Sequence, residues 1–336
     1  MSIRIVNSLP EDNWRLFVDR HPVGNIFHTP EMFEVFAHAE KHEPCLWAAT
    51  NPNQEILALL LPVNVSVLTS MLRGLTSRNV SYGSVLCAPG IEGQEALALL
   101  LKTYKNEVAG NPLLTELRNL SDLKDSQPVL QEAGFVFEPH LNYIINLCRP
   151  VDQIRHDMKG DVAQNVKRAS RMGVVVEDIS SIDKISDMYD VLTEVYKRIQ
   201  VPLAPLSLFE SAFRILYPRN MIKIIVARLD DVYIGAAIRL LYKDQIFAWY
   251  AGALREYSKY KAHDLLNWHI LEWGAENGFK TFDFGGAGKP DQSYGPRDYK
   301  AKFGGDLVNF GRNTYIHAPL RLKLSSNVYE IWRKTF

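Results

Sequence analysis

The sequence predicts an α/β chain of two similar domains, each a mixed, largely antiparallel sheet flanked by helices. Three observations carry this expectation. The chain has 336 residues, more than one ordinary core holds at about 100–200 residues per domain. Hydrophobic residues make up 47% and charged residues 23%, which is ordinary globular usage. Short β-branched and aromatic runs joined by tight turns recur in both halves, with helix-like stretches on either side.

In the first half, residues 1–6 read as an opening strand. Residues 45–50 and 56–63 read as a strand pair around the turn Asn51-Pro52-Asn53-Gln54. A boundary near Arg149-Pro150 divides the chain into domains 1–148 and 149–336. The second domain opens with a polar helix over 153–172, stopped by Gly173. Then come a strand (174–177), a helix (182–198), a loop marked by Pro202 and Pro205, and a helix (206–217). A three-stranded meander follows over 222–229, 232–241 and 246–250. The chain continues with a helix (262–277), a strand (280–284) and a Gly-rich loop. Leu266, Ile270 and Trp273 recur at helical spacing and predict a buried stripe, widened by Trp268 and Leu271.

Bulk properties narrow the function. Lys plus Arg and Asp plus Glu both total 38, which argues against a surface wholly devoted to nucleic acid or anionic lipid. Cys45, Cys87 and Cys148 are far apart and lack CxxC spacing, so reduced, mostly buried thiols are expected rather than disulfides or zinc ligands. No signal peptide is visible. The longest apolar run, 56–63, contains Pro62 and falls well short of the roughly 20 residues that span a bilayer. A cytoplasmic location is expected.

The segment 250–305 holds the candidate chemistry. The basic, aromatic turn from Arg255 to Lys261 leads into a helix, which suits either an anion site or a solvated cap. His263 and His269 are six residues apart, about 240° around a helix, and cannot share a metal. Period-2 geometry sets Asp283 opposite Phe282 and Phe284. That carboxylate either supports catalysis or closes the strand end. Gly285-Gly286-Ala287-Gly288-Lys289 is not a phosphate loop, because its spacing is too short and Pro290 follows. If residues 299–303 are extended, Lys300 and Lys302 share a face. Gly304-Gly305 allows close backbone approach.

Together these pieces, with Trp273-Gly274-Ala275-Glu276-Asn277-Gly278 and the basic helix from Gln164 to Val174, resemble the Fem family of aminoacyl-tRNA-dependent peptidyltransferases. The resemblance covers most of 150–310; the first 145 residues match only in layout. It implies two GNAT-like (acyl-CoA N-acyltransferase-like) domains. It also implies transfer of an amino acid from aminoacyl-tRNA to the amine of a peptidoglycan precursor, with no metal and no cofactor beyond the activated donor. In that reading Lys300 stabilises developing negative charge, and Asp283 and Tyr250 shape the catalytic site. Tyr257, Lys259, Tyr260, Gly285, Gly286, Tyr299 and Phe303 are assigned to the substrate. Lys167, Arg168 and Arg171 are assigned by their charge to tRNA phosphates. The family's Arg before a Pro is replaced by Ala204, and its long helical hairpin is absent. The alternatives are an N-acyltransferase using acyl-CoA or acyl carrier protein in polysaccharide or lipid assembly, and a non-catalytic envelope-precursor binding protein. Peripheral membrane contact is compatible with all three.

Overall fold

The computed structural model of the protein describes residues 2–66, 77–109 and 112–324. In chain order the strands and helices begin with β1 (Arg4–Val6), α1 (Glu11–Arg20), α2 (Pro30–Ala37), β2 (His42–Pro44), β3 (Trp47–Thr50), β4 (Ile56–Leu60) and β5 (Val63–Val65). They continue with β6 (Arg78–Ser81), β7 (Val85–Cys87), α3 (Ile91–Glu107), β8 (Leu114–Arg118), α4 (Gln127–Glu132) and β9 (Val136–Glu138). Next are β10 (Leu141–Asn146), α5 (Val151–Asp157), α6 (Gly160–Arg171), β11 (Val175–Asp178), α7 (Lys184–Arg198) and α8 (Leu206–Leu216). Then come β12 (Ile222–Leu229), β13 (Val232–Tyr242), β14 (Gln245–Ala253), α9 (Ala262–Glu276) and β15 (Thr281–Gly286). The described chain closes with α10 (Gly295–Lys300), β16 (Asp306–Asn309) and β17 (Arg312–Ile316).

These elements form two compact units, residues 1–139 with the stretch beginning at Phe310, and residues 140–309. The division therefore falls at 139/140 and 309/310 rather than at 148/149. The reason is strand pairing. β10 bonds to β15 and β16 and belongs to the second sheet, whereas β17 bonds to β8 and β9 and belongs to the first unit.

The first unit holds a four-stranded sheet, β1-β3-β4-β7, and a six-stranded sheet, β2-β5-β6-β8-β17-β9. Its core packs α3, through Ala96, Leu97, Leu100, Leu101 and Tyr104, onto β3 and β4. In the six-stranded sheet the pair β6–β8 is parallel and the rest are antiparallel.

The second unit is one seven-stranded sheet, β11-β12-β13-β14-β15-β10-β16. The meander β12–β13–β14 turns at Asp230 (φ 50°) and Lys243 (φ 51°), the left-handed backbone that two-residue hairpins need. Helix α9 packs on β12, β13 and β14 and against α6, while α7 and α8 pack on the same meander through Val191, Leu192, Leu208 and Phe209. The predicted stripe is present: Leu266, Ile270 and Leu271 are fully buried and Trp268 nearly so, while Trp273 is half-buried at the rim. The polar helix expected over 153–172 is two helices, because the chain is extended at Met158 and Lys159. All three cysteines are free, and Cys45 and Cys148 are exposed rather than buried. Among the described residues no helix is long and apolar enough to cross a membrane.

Candidate active site

The site grows out of one irregularity in the second sheet. β14 and β15 run parallel and pair only at Gln245↔Thr281, Ile246↔Phe282 and Phe247↔Asp283. Beyond that point both strands continue, β14 to Ala253 and β15 to Gly286, but they no longer bond to each other. A bulge accompanies the parting: Ile238 faces Tyr250 and Arg239 faces Ala248, so Trp249 has no opposite number on β13. Bulges bend a strand and re-aim its side chains. The strand ends are thereby left with carbonyls that need donors.

Lys300 supplies them. Its Nζ donates to the carbonyls of Phe284 (2.6 Å), Gly286 (2.8 Å) and Gly285 (3.2 Å), which uses all three ammonium protons. Burial pushes its pKa down to about 8, with Arg239 adding to the effect and Asp283 opposing it. Asp283 is half-buried. It accepts from the Gly285 N–H at 2.6 Å and from Asn142 Nδ2 at 3.2 and 3.3 Å. Burial pushes it up to about 6, against those hydrogen bonds and the Lys300 charge. At neutral pH the pair is Lys300 cation and Asp283 anion.

Lys300 opens onto a cleft of about 710 Å³. Its walls come from the start of α6, the end of α7, the free half of β14, the start of α9, and α10. Tyr250 lines it, packed edge-on against Phe209 at 4.9 Å and beside Tyr196 at 5.8 Å. α7 comes close enough to β14 that a Cβ on Gly252 would lie 2.6 Å from Val195, so only glycine fits there. Beneath the cleft runs a polar chain. Arg239 Nη2 donates to Asn267 Oδ1 (2.8 Å), and Asn267 Nδ2 donates to the Tyr299 hydroxyl (3.1 Å). Tyr299 in turn donates to Asp264 Oδ1 (2.8 Å), whose other oxygen accepts from Asn165 (2.8 Å). His263 stacks flat on Tyr299, 4.9 Å between centroids. Burial, reinforced by Arg239 and Lys300, pushes it down to about 4 and keeps it neutral.

The structure brings together Lys300, Tyr250, Tyr257 and Tyr299 on the cleft wall. Other expected residues are placed differently. Residues 295–303 are helical, not extended, so Lys300 and Lys302 do not share a strand face. Lys302 pairs with Asp161 (2.6 Å), and both line the same cleft as Lys300. Phe303 is fully buried against Phe284 and Tyr299, a core residue rather than a substrate contact. Lys259 is exposed and lies over Tyr260, 5.0 Å from its ring, and neither lines the cleft. Gly285 and Gly286 act through their carbonyls. Asp283 does not line the cleft and acts on Lys300 through its charge. Gly305 makes the expected close approach: at φ 95°, a Cβ would sit 2.5 Å from the Ile144 carbonyl. Lys167, Arg168 and Arg171 are exposed on α6, whose Val162, Val166 and Ala169 are buried. None of the three lines the cleft.

Sequence reading missed Arg239, Asn267, Asp264 and Tyr196. The available signal was a polar residue inside an apolar run, Arg239 between Ile238 and Leu240 and Asn267 between Leu266 and Trp268, since buried polar groups need partners. Among the described residues no cluster of His, Cys, Asp and Glu is placed to hold a metal.

Comparison with known proteins bears on the fold. Residues 156–301 match the family model described as "Acetyltransferase (GNAT) domain". No curated protein sequence matches the chain. Among solved structures, FemX is similar at 14% identity, with a TM-score of 0.71 over 97% of this chain and all of its own. L-PGS from Bacillus licheniformis is similar at 13% identity and a TM-score of 0.62, covering 96% of this chain and 97% of its own. A tandem GNAT protein from the clavulanic acid biosynthesis pathway follows at 11% identity and a TM-score of 0.60, covering 94% and 99%. Identities this low speak to fold. Residues 156–301 thus match a GNAT domain, and the chain shares its fold with FemX and with the tandem GNAT protein.

Proposed function

We propose that the cleft of the second unit transfers an aminoacyl group from aminoacyl-tRNA to the amine of a peptidoglycan precursor or related cell-envelope acceptor. The carrying observation is the fixed Lys300 ammonium at the parted strand ends, with Tyr250 and Tyr299 on the same wall. An activated ester needs little beyond positioning and charge stabilisation when an amine attacks it. The amine nitrogen bonds to the ester carbonyl carbon, the carbonyl oxygen takes the negative charge, and as the carbonyl re-forms the C–O bond breaks and the ribose oxygen leaves as a hydroxyl carrying the proton that the amine gives up. Lys300 holds a positive charge where that oxyanion forms. Its longest hydrogen bond, to Gly285 at 3.2 Å, is the one most easily exchanged for the oxyanion. Asp283 keeps Lys300 protonated. The exposed cations Lys167, Arg168 and Arg171 would meet tRNA phosphates outside the cleft. The fold shared with FemX agrees with the Fem-like motifs of residues 150–310 on which this donor rests.

A second reading, transfer from acyl-CoA or an acyl carrier protein, is favoured by the family match to an acetyltransferase domain over 156–301. Purified protein passed over immobilised charged tRNA and immobilised CoA, at low and raised salt, separates the two. The expected result is salt-sensitive retention on tRNA that weakens with Lys167→Glu and Arg171→Glu. Retention on CoA with indifference to tRNA would replace the first reading with the second.

A further inference from the structure

Arg239 is used by neither reading. It lies on β13, in the wall of the cleft, and is 1% exposed. Its guanidinium donates to the carbonyls of Ile238 (3.2 Å) and Tyr250 (3.3 Å) through Nη1, and to Asn267 Oδ1 (2.8 Å) through Nη2. All three acceptors are neutral. The Nε–H has no acceptor, and the second proton on Nη2 has none among the described contacts. A guanidinium carries five N–H bonds in a rigid plane. The Nε–H, itself buried, and one Nη2 proton are left over, and Nε and Nη2 flank the edge at which a guanidinium takes a carboxylate with two hydrogen bonds.

The charge is uncompensated as well as the edge. Lys302 has Asp161 and Lys300 has Asp283, but Asp264 reaches Arg239 only through Asn267 and Tyr299. The Phe282 ring, 5.6 Å away, offers a weak cation–π contact. Burial pushes the guanidinium down to about 10, so it stays charged at neutral pH. A buried cation without a counter-charge is expensive, and a sequence that keeps one in a cleft wall gains nothing in stability from it.

We infer that Arg239 is a ligand-binding residue whose Nε–Nη2 edge receives a carboxylate carried by the molecule bound in the cleft. One positive charge and one planar edge match one carboxylate. The inference rests on the cleft being the substrate site, and it holds for either acyl donor. It makes the site selective for a substrate with a carboxylate near the reacting centre, and it couples that carboxylate to Tyr250 through the shared carbonyl.

The test uses the full chain labelled with nitrogen-15 arginine, titrated with acetate, acetamide and chloride at constant ionic strength. The Arg239 Nε–H signal is assigned by its loss in Arg239→Lys and, independently, by its movement in Asn267→Asp. Acetate is expected to shift that signal saturably, and acetamide and chloride are not. Asn267→Asp sets a carboxylate on the guanidinium from within the fold and is expected to weaken acetate binding about tenfold or more. No saturable shift, or an equal shift with acetamide or chloride, would overturn the inference and leave Arg239 a structural cation. The readout needs no acyl donor, so a failed transfer assay counts against the Lys300 mechanism and leaves this inference standing.

Discussion

Among the described residues each unit has one parallel strand pair within an otherwise antiparallel sheet, and the two junctions are finished differently. In the first unit β6 and β8 pair at Asn79↔Thr115, Val80↔Glu116 and Ser81↔Leu117. On one face the buried Asn79 and Thr115 belong to a neutral chain, while on the other Glu116 is paired with Arg118 and Arg312. Asn64 donates to Asn79 (2.7 Å), Asn79 to the Tyr104 hydroxyl (2.8 Å), and Tyr104 shares a proton with Thr115 (2.7 Å), which meets His317 (2.8 Å). No lysine or carboxylate enters that chain. In the second unit the pair β14–β15 parts beside the charged Lys300 and Asp283, and on β13 Arg239 keeps an Nε–H without an acceptor. A satisfied neutral network specifies structure. A charged and incompletely satisfied one stores electrostatic potential for a ligand. On the proposed function, the same topology serves packing in one unit and chemistry in the other.

The contrast can be broken most sharply at Lys300. Lys300→Met is expected to lower the acyl-transfer rate by about 10²–10³-fold, with the melting profile checking that the fold persists. Reversing Lys167, Arg168 and Arg171 to Glu is expected to weaken tRNA binding and flatten its dependence on salt, by about one unit of log–log slope for each phosphate no longer neutralised. Transfer to a minimal donor lacking the tRNA body should be unchanged in that variant.

On the structural side, Tyr104→Phe should cost about 1–3 kcal/mol in urea unfolding, because Asn79 and Thr115 are deprived of a buried partner. Transfer by the folded fraction should not change. A transfer defect there would erase the distinction between the two junctions.

The pH dependence sharpens the comparison further. Asp283 at about 6 and Lys300 at about 8 are both charged between those values, so kcat/KM is expected to rise through the first and fall through the second. Asp283→Asn removes the charge that holds the Lys300 pKa up, so the alkaline limb should move below 8. Stability gives opposite signs in the two units. His317, pushed down to about 4 mainly by burial with Lys105 adding to it, contributes stability that is present above about 6.5 and lost as pH falls through 4. Asp283, raised in the fold to about 6, contributes stability that is present below about 4 and lost as pH rises through 6. Unfolding curves between about pH 4 and 6.5 for His317→Gln and Asp283→Asn should bend in opposite directions.

The sheets were largely legible in the sequence because β12, β13 and β14 are long apolar runs broken by Asp230-Asp231 and Lys243-Asp244. Helix α9 was legible because its stripe keeps strict spacing. The domain boundary was not, because β10 and β17 each sit across a linker from the sheet they would join by proximity in sequence. Lys300 was found through motif resemblance, but its setting was misread. α10 is only six residues long, too short to show a period, and the alternation of Lys300 and Lys302 mimics a strand. Arg239 and Asn267 were hidden because local pattern shows a polar residue in an apolar run but not which group will face it.

The central claim is that the Lys300 junction of the second unit, and not the β6–β8 junction of the first, carries the reaction. Single-turnover acyl transfer from aminoacyl-tRNA to a peptidoglycan-precursor amine, measured for Lys300→Met beside Tyr104→Phe at matched folded fraction, tests it most directly. The expected result is a rate reduced by about 10²–10³-fold in the first variant and unchanged in the second. Equal rates in the two variants would contradict the account.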